Sequence, residues 1–285
     1  MTRPAVTLLT DYGPHSEHVG ALHAVLVARC PGLERVDLAH DVPQGDVRWG
    51  AILLARLAPI LPDAVHLAVV DPGVGGARRG LAVRLAGGGA LVGPDNGLLG
   101  AAADRLGVSG AVTLDPARLG AGDVPATFHG RDLFAPAAAR LAAGDPIDAL
   151  GDRIPPGDIA RPDLPDPEVA PGGIITEAAG LDRFGNVALL AGPGHLELAR
   201  IAPGDRVAVL CGGRELPAVV GRTFGDVPVG DGLLHVDSHG HLAVAVNLGS
   251  AAALLGVTRS GARVAISRVR GPAGRVPGGS GAANP

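Results

Sequence analysis

HLAVVDPGVGGARR, residues 66 to 79, decides how the rest of the chain is read. The apolar run HLAVV reads as a buried strand with Asp71 as its last residue. PGVGG reads as a loop whose glycines permit positive φ and close backbone approach, and Arg78 and Arg79 follow at once. Open α/β sheets bind ligands outside the carboxyl ends of their strands, so a strand that closes in a carboxylate opposite a cation-bearing loop marks the edge where chemistry is expected. Taken alone, a solvated turn with a surface ion pair explains the stretch equally well.

Outward from this stretch, strand-like and helix-like patterns alternate. AVTLLT (5 to 10) is a strand, and EHVGALHAVLVARC (17 to 30) is a helix with Val19, Leu22, Leu26 and Val27 on one face and Ser16 as N-cap. RVDLA is the next strand, followed by a helix over DVRWGAILLARLAPIL capped by Asp46. AVHLAVV (64 to 70), LAVRLA (81 to 86) and ALVG are strands, LLGAAADRL is a short helix, AVTL is a strand and DLFAPAAARLAAG (132 to 144) is a late helix. The expected fold class is therefore α/β, with a largely parallel sheet and helices on its faces.

A break follows at RIPPGDIARPDLPDPEVAPGG (153 to 173), whose six prolines cannot continue a helix or a central strand and which reads as an extended linker. Beyond it lie short apolar strands separated by turns, GIIT, VALLA, RVAVL, LLHVDS, HLAVAVN and ARVAIS, the pattern of a small antiparallel β-barrel. The expected organisation is an N-terminal α/β catalytic domain over 1–155, a linker over 156–172, a C-terminal β-barrel over 173–270 and a disordered tail over 271–285.

Composition narrows the function classes. The chain has 285 residues and is 47% apolar, enough for a substantial core, while its 45 glycines and 25 prolines belong to turns and linkers. Aromatic residues make up only 2%, so the core must be packed from Ala, Val, Leu and Ile. The net charge is −4, and all 24 basic residues are scattered arginines with no basic stripe, which argues against nucleic acid as a partner. No apolar stretch reaches the roughly 18 residues a bilayer requires, and MTRPAVTLLTDYG lacks a signal-peptide layout, so a cytoplasmic protein without membrane partners is expected. Cys30 and Cys211 are read as buried free thiols.

Polar residues collect where the first-domain strands end: Asp11 in TDYG, Asp71, Asp95 and Asn96 in GPDNG, and His129 in FHGRD. Such an edge can bind a metal or manage a hydroxyl-rich ligand with a positioned water. The spacings of dinuclear phosphatases and nucleases are absent: there is no DxD, no HExxH and no paired GD/GNH box. Arg78 stands where the third glycine of GxGxxG would fall, and a P-loop is impossible without lysine. His239 and His241 in SHGHL read as a polar hairpin turn rather than a metal site.

Beyond these single features, LLTDYG, AHDVPQGDVRWGAILL, VVDPGVGGARR, LVGPDNGLL, TFHGRDLFAPAAARLAAG, DRFGNV and NLGSAAALLG follow one another in an order and spacing that resembles the S-adenosyl-L-methionine (SAM) hydroxide adenosyltransferases, the SAM hydrolases related to fluorinase and chlorinase. The resemblance covers most of residues 5 to 267. It implies an α/β domain followed by a β-barrel, a homotrimer with substrate bound between neighbouring subunits, SAM as substrate and no cofactor or metal. The family's catalytic Asp, Arg and His fall on Asp71, Arg78 and His129, and its ribose-binding Asp on Asp11. Asp182 and Asn186 match positions for the methionine amine and the adenine, Ser238 matches another methionine contact, and Val246 matches a backbone contact to adenine.

The chain departs from the family at Ser16, where a second N-terminal Asp is usual, and at His239, where fluorinase has an Arg. The halogenating relatives carry Tyr where this chain has Asp71, fluorinase has Ser where Gly130 falls, and an aromatic lining the ribose falls on Gly45. Water is therefore the expected nucleophile, attacking ribose C5′ in line with the bond to sulfur. His129 can accept its proton or orient it, Arg78 can stabilise hydroxide character, and Asp71 can fix Arg78 or accept from the water. A SAM-dependent halogenase, a metal-dependent phosphoesterase and a non-catalytic adenosine- or SAM-binding module are the alternatives.

Overall fold

A computed structural model of the chain describes residues 5–120, 125 and 127–269, so the tail expected over 271–285 lies outside the described residues. The chain forms two compact units, Met1–Leu164 and Pro165–Pro285. No helix among the described residues is long and apolar enough to cross a membrane.

The first unit alternates strand and helix in its first half: β1 (Val6–Thr10), α1 (Glu17–Arg29), β2 (Arg35–Ala39), α2 (Val47–Leu57), β3 (Val65–Val69), β4 (Gly80–Leu85), β5 (Ala90–Pro94), α3 (Gly100–Leu106), β6 (Val108–Leu114), α4 (Ala135–Ala142) and β7 (Gly151–Arg153). The sheet order is β2-β1-β3-β5-β4-β6-β7. The β2, β1, β3 and β5 strands run parallel, and β4, β6 and β7 extend the sheet antiparallel. Every residue of β1 and β3 is buried, which is why both read as continuous apolar runs rather than alternating ones. Leu22 and Leu26 of α1 and most of α4 pack with Leu8, Leu67 and Val69 in one core cluster, while Gly50 of α2 abuts Val70 and Leu98. Helices thus cover both faces of the sheet.

Side-chain oxygens of Ser16 and Asp46 accept from the N–H groups of His18 and Trp49, which satisfies otherwise orphaned donors and fixes where α1 and α2 begin. The buried face of α1 consists of Val19, Leu22 and Leu26; Val27, expected on it, is 45% exposed, because it lies one residue, about 100° of helix rotation, beyond Leu26. The proline-rich stretch carries structure of its own. Ala160 N donates to Asp95, Arg161 pairs with Asp104, and Gly100 lies so close to Ala160 O that a Cβ there would sit 2.5 Å away.

The second unit comprises β8 (Glu168–Ala170), β9 (Gly173–Leu181), β10 (Val187–Leu189), α5 (Pro193–Leu198), β11 (Arg206–Cys211), β12 (Arg214–Val220), β13 (Gly232–Val236), β14 (Leu242–Val246), α6 (Ala251–Leu255) and β15 (Arg263–Arg268). The order β10-β14-β13-β12-β11-β15-β9 closes through a β10–β9 pairing into a seven-strand barrel, with β8 added beside β9. All of its pairings are antiparallel except β12 with β13. Closure removes the exposed edges an open sheet of this size would present. Cys30 and Cys211 are both buried free thiols, one in each unit.

Candidate active site

The connections leaving β1 and entering β3 run to opposite sides of β1, so the first unit has its topological switch point between these two strands. β2 lies on one side and β3 on the other, and Thr10 is in register with Val69. Asp11 follows β1 directly, and Asp71 stands two residues beyond β3. Chain topology therefore puts two carboxylates side by side at the position where α/β sheets bind ligands.

Arg78 closes the loop that begins at Asp71. The turn is built by Val74 N donating to Asp71 O and Gly76 N donating to Gly73 O, with Gly75 at φ 77°, where a side chain would be strained. The Arg78 fork returns to Asp71: Nε donates to both carboxylate oxygens at 3.0 Å, and Nη2 donates to Oδ2. The pair is dry, with Asp71 and Arg78 side chains 5% and 10% exposed. It is a fixed, charge-assisted arrangement rather than a solvated surface pair.

His129, 51 positions further along, joins them. Its Nδ1 lies 2.7 Å from Arg78 Nη2. Arginine can only donate, so Nδ1 accepts and the neutral ring carries its proton on Nε2. Burial, and then the Arg78 cation, hold the His129 imidazole below its ordinary value of 6.5, against Asp71 and Asp132, which pull it up. Burial raises the Asp11 carboxyl above its ordinary value, and Asp71 pushes it the same way. Asp11 Oδ2 also accepts from Gly45 N at 2.8 Å. The arrangement offers an oxygen nucleophile one fixed cation and one neutral N–H donor beside two carboxylates.

Other strand-edge residues are occupied structurally. Asp95 is held by Arg79 through Nε at 2.8 Å and Nη2 at 2.5 Å, and Asn96 spans Val70 O and Leu98 N. In the second unit, Asp182 Oδ1 accepts from the N–H groups of Phe184 and Asn186, and Oδ2 accepts from Asn186 Nδ2, so the pair closes the β9–β10 turn. Val246 ends β14 at this same end of the barrel, but its side chain is in the core and its carbonyl accepts from Gly249 N. Ser238 lies in the β13–β14 hairpin, at the opposite end of β14 and so roughly 13 Å along the strand. His239 and His241 donate their backbone N–H groups to Asp237 Oδ1 at 2.8 and 2.9 Å, which is the polar hairpin turn expected.

Residues 6–151 match the model of the SAM hydroxide adenosyltransferase N-terminal domain, and residues 177–264 match that of the C-terminal domain. The chain belongs to this family. A (R)-S-adenosyl-L-methionine hydrolase of Salinispora tropica is 51% identical over 259 residues, covering 90% of this chain and 95% of that protein. A protein of the same name from Thermus thermophilus is 44% identical over 260 residues, covering 88% and 95%. A fluorinase of Actinoplanes is 28% identical over 273 residues, covering 86% and 91%. Among solved structures, a conserved protein of Thermotoga maritima superposes with a TM-score of 0.82 at 36% identity, covering 92% of this chain and 100% of that one.

Aromatic residues complete the first-unit cluster and are not among the site residues expected from sequence. The fully buried Phe134 lies under Arg78, with the guanidinium carbon 5.2 Å from the ring centroid, and meets the His129 ring edge-on at 6.5 Å. A π-helical turn over Gly130–Phe134 carries this ring, a local widening often found at functional sites. The Tyr12 hydroxyl fills the space over Gly130: a Cβ there would lie 2.3 Å from it. FHGRDLF, with two of the chain's four phenylalanines around one histidine, held the signal.

Proposed function

We propose that the chain hydrolyses SAM to adenosine and L-methionine, with Asp71, Arg78 and His129 as catalytic residues and Asp11, Asp182, Asn186, Ser238 and Val246 as substrate contacts. The observation that carries the proposal is the partly buried Asp71–Arg78–His129 chain of hydrogen bonds at the switch point of the sheet. The sulfonium leaves as a neutral thioether, so no acid is needed at the departing group. Oxygen bonds to C5′ as the C5′–S bond breaks with its electron pair going to sulfur, and one proton is released per turnover. No cofactor enters this balance.

Because Arg78 occupies Nδ1, His129 has no free basic nitrogen in its neutral form. Its part is to donate from Nε2, and Arg78 stabilises the negative charge of a bound hydroxide, lowering the pKa of the water it comes from. Asp71 keeps Arg78 aimed. Asp11 accepts from the ribose hydroxyls. In the second unit, Phe184 and Leu248, 71% and 87% exposed beside the Asp182 turn and the end of β14, offer apolar surface for the adenine.

The halogenase alternative is weakened at Gly130, since a serine side chain there would displace the Tyr12 hydroxyl. The test is SAM turnover in 18-oxygen water: label in the adenosine 5′-hydroxyl and equimolar methionine are expected, without added metal. Unlabelled adenosine, or 5′-halo-adenosine as main product in chloride or fluoride, defeats the proposal. The active unit is proposed to be a homotrimer with shared sites. Mixing Asp11→Ala with Asp182→Ala chains should then regain activity that neither variant shows alone, whereas a fully active monomer in sedimentation would refute it.

A further inference from the structure

We propose that His23, Asp37 and His40 form a structural site for one divalent transition-metal ion of the zinc class, outside the residues assigned to SAM hydrolysis. His23 lies on α1, Asp37 at the middle of the edge strand β2, and His40 immediately after that strand. His23 Nε2 and His40 Nε2 approach the same carboxylate oxygen, Asp37 Oδ1, at 3.0 and 3.1 Å. All three donor atoms lie within 4.8 Å of one another. In a tetrahedral zinc site with bonds of about 2.0–2.1 Å, neighbouring ligand atoms stand roughly 3.3 Å apart. Two edges therefore already have nearly the required length.

The independent observation is the state of His40. The residue is 7% exposed, and its Nε2 makes no hydrogen bond among the described residues. Asp37 Oδ1 is near enough to be an ion-pair partner but lies outside hydrogen-bond geometry. A buried nitrogen left this way is costly unless something else satisfies it. The other ring nitrogen is fixed: Nδ1 is 2.8 Å from the buried Thr10 hydroxyl, whose oxygen also accepts from Tyr12 N at 3.2 Å. A metal-ligating histidine held by an outer partner through its second nitrogen is the usual pattern. Two imidazoles and one carboxylate match the ligand preference of zinc, and Asp37, 48% exposed at the side chain, leaves an opening for water as the fourth ligand.

Such an ion would tie α1 to β2 and to the chain beyond it. Gly13 N donates to His40 O at 2.7 Å, and Gly45 N donates to Asp11, so the segment that the ion anchors is the one that holds the β1 loop. The ion's effect is on stability rather than on the chemical step.

The full chain, stripped with a chelator and dialysed, is titrated with Co²⁺ and with Zn²⁺. One equivalent of cobalt should give the intense visible absorption of a tetrahedral site, and zinc should raise Tm in proportion to its binding. His23→Ala and Asp37→Asn, both at partly exposed positions, should lower zinc affinity by at least about tenfold, and Thr10→Val by about 10- to 100-fold. Absence of stoichiometric binding overturns the proposal. So does binding of unchanged affinity in the His23 and Asp37 variants, which would mean that the metal sits on other histidines.

Discussion

Replacing Arg78 by lysine keeps the charge and removes the fork. Arg78 reaches both Asp71 oxygens and His129 Nδ1 from one planar group. An ammonium at the end of a flexible stem lacks that fixed geometry, so at least one charge-assisted contact is lost, worth about 1.5–3 kcal/mol. At about 1.4 kcal/mol per tenfold in rate, Arg78→Lys should lower kcat about 10- to 150-fold. KM should move less than about threefold, because in the proposed reaction Arg78 holds the nucleophile and not the substrate. The assay is adenosine release from SAM by chromatography, with kcat and KM fitted separately at several pH values. The deficit should shrink as pH rises, since free hydroxide then replaces the hydroxide that Arg78 no longer stabilises. A folded variant with kcat within threefold of the parent, or with the loss carried mainly by KM, refutes the assignment.

Asp11→Ala should chiefly raise KM, because a ribose diol is held alike before and during reaction, whereas His129→Ala should lower kcat by ~10²-fold or more; the opposite split in steady-state kinetics inverts the roles. Gly130→Ser should destabilise the protein by about 1–3 kcal/mol through overpacking against Tyr12, and yield no halogenated nucleoside; an unchanged melting temperature would contradict it. The acid limb of kcat should have its half-point below pH 6.5, where His129 charges and can no longer accept from Arg78, and a half-point above 7 in the pH-rate profile would contradict this. Buried His66 has its pKa lowered from 6.5 to about 4, so its contribution to stability is complete above 6.5 and is lost as pH falls towards 4. Over that window urea denaturation should report a loss of about 3 kcal/mol that His66→Gln does not show.

The fold was legible where burial is uniform. VTLLT and VHLAV are buried throughout because both faces of their sheet are covered, and one loop places Asp71 near a cation, though spacing alone does not choose between Arg78, which pairs with it, and Arg79, which pairs with Asp95. β12 is not among the strands expected from sequence, and Pro217 interrupts it; the structure tolerates the proline because Pro217 pairs with Ala208 on one side only, the β13 pairing beginning at Ala218. FHGRD marks His129 as a candidate at the strand edge, but its catalytic assignment came from resemblance, since nothing local tells a residue 51 positions away that it will bond to Arg78. Asp37 and His40 stand three positions apart, but His23 lies 14 positions before Asp37 with no short-motif spacing to them. They meet because α1 crosses the sheet beside β2, a tertiary event that spacing does not encode.

Charge at the switch point suits the proposed reaction, which brings a sulfonium cation and hydroxide together. Asp11 and Asp71 contribute two negative charges, Arg78 one positive, and the histidine none while it accepts at Nδ1. Asp132, the remaining nearby acid, is neutralised by Arg131 in two bonds of 2.7 Å. With Asp11 ionised, these groups sum to one net negative charge, and burial raises the pKa of Asp11, the acid without a guanidinium partner. A sulfonium entering this field meets an unpaired carboxylate, favours its ionised form and cancels the excess charge. Under the proposed function, a second anion beside Arg78 would then be tolerated, so hydroxide would be stabilised in the presence of the carbon it attacks. In the proposed reaction, SAM bound here would lower the pKa of its own nucleophile, and Arg78, held by Asp71, would confine that effect to the atom in line with C5′.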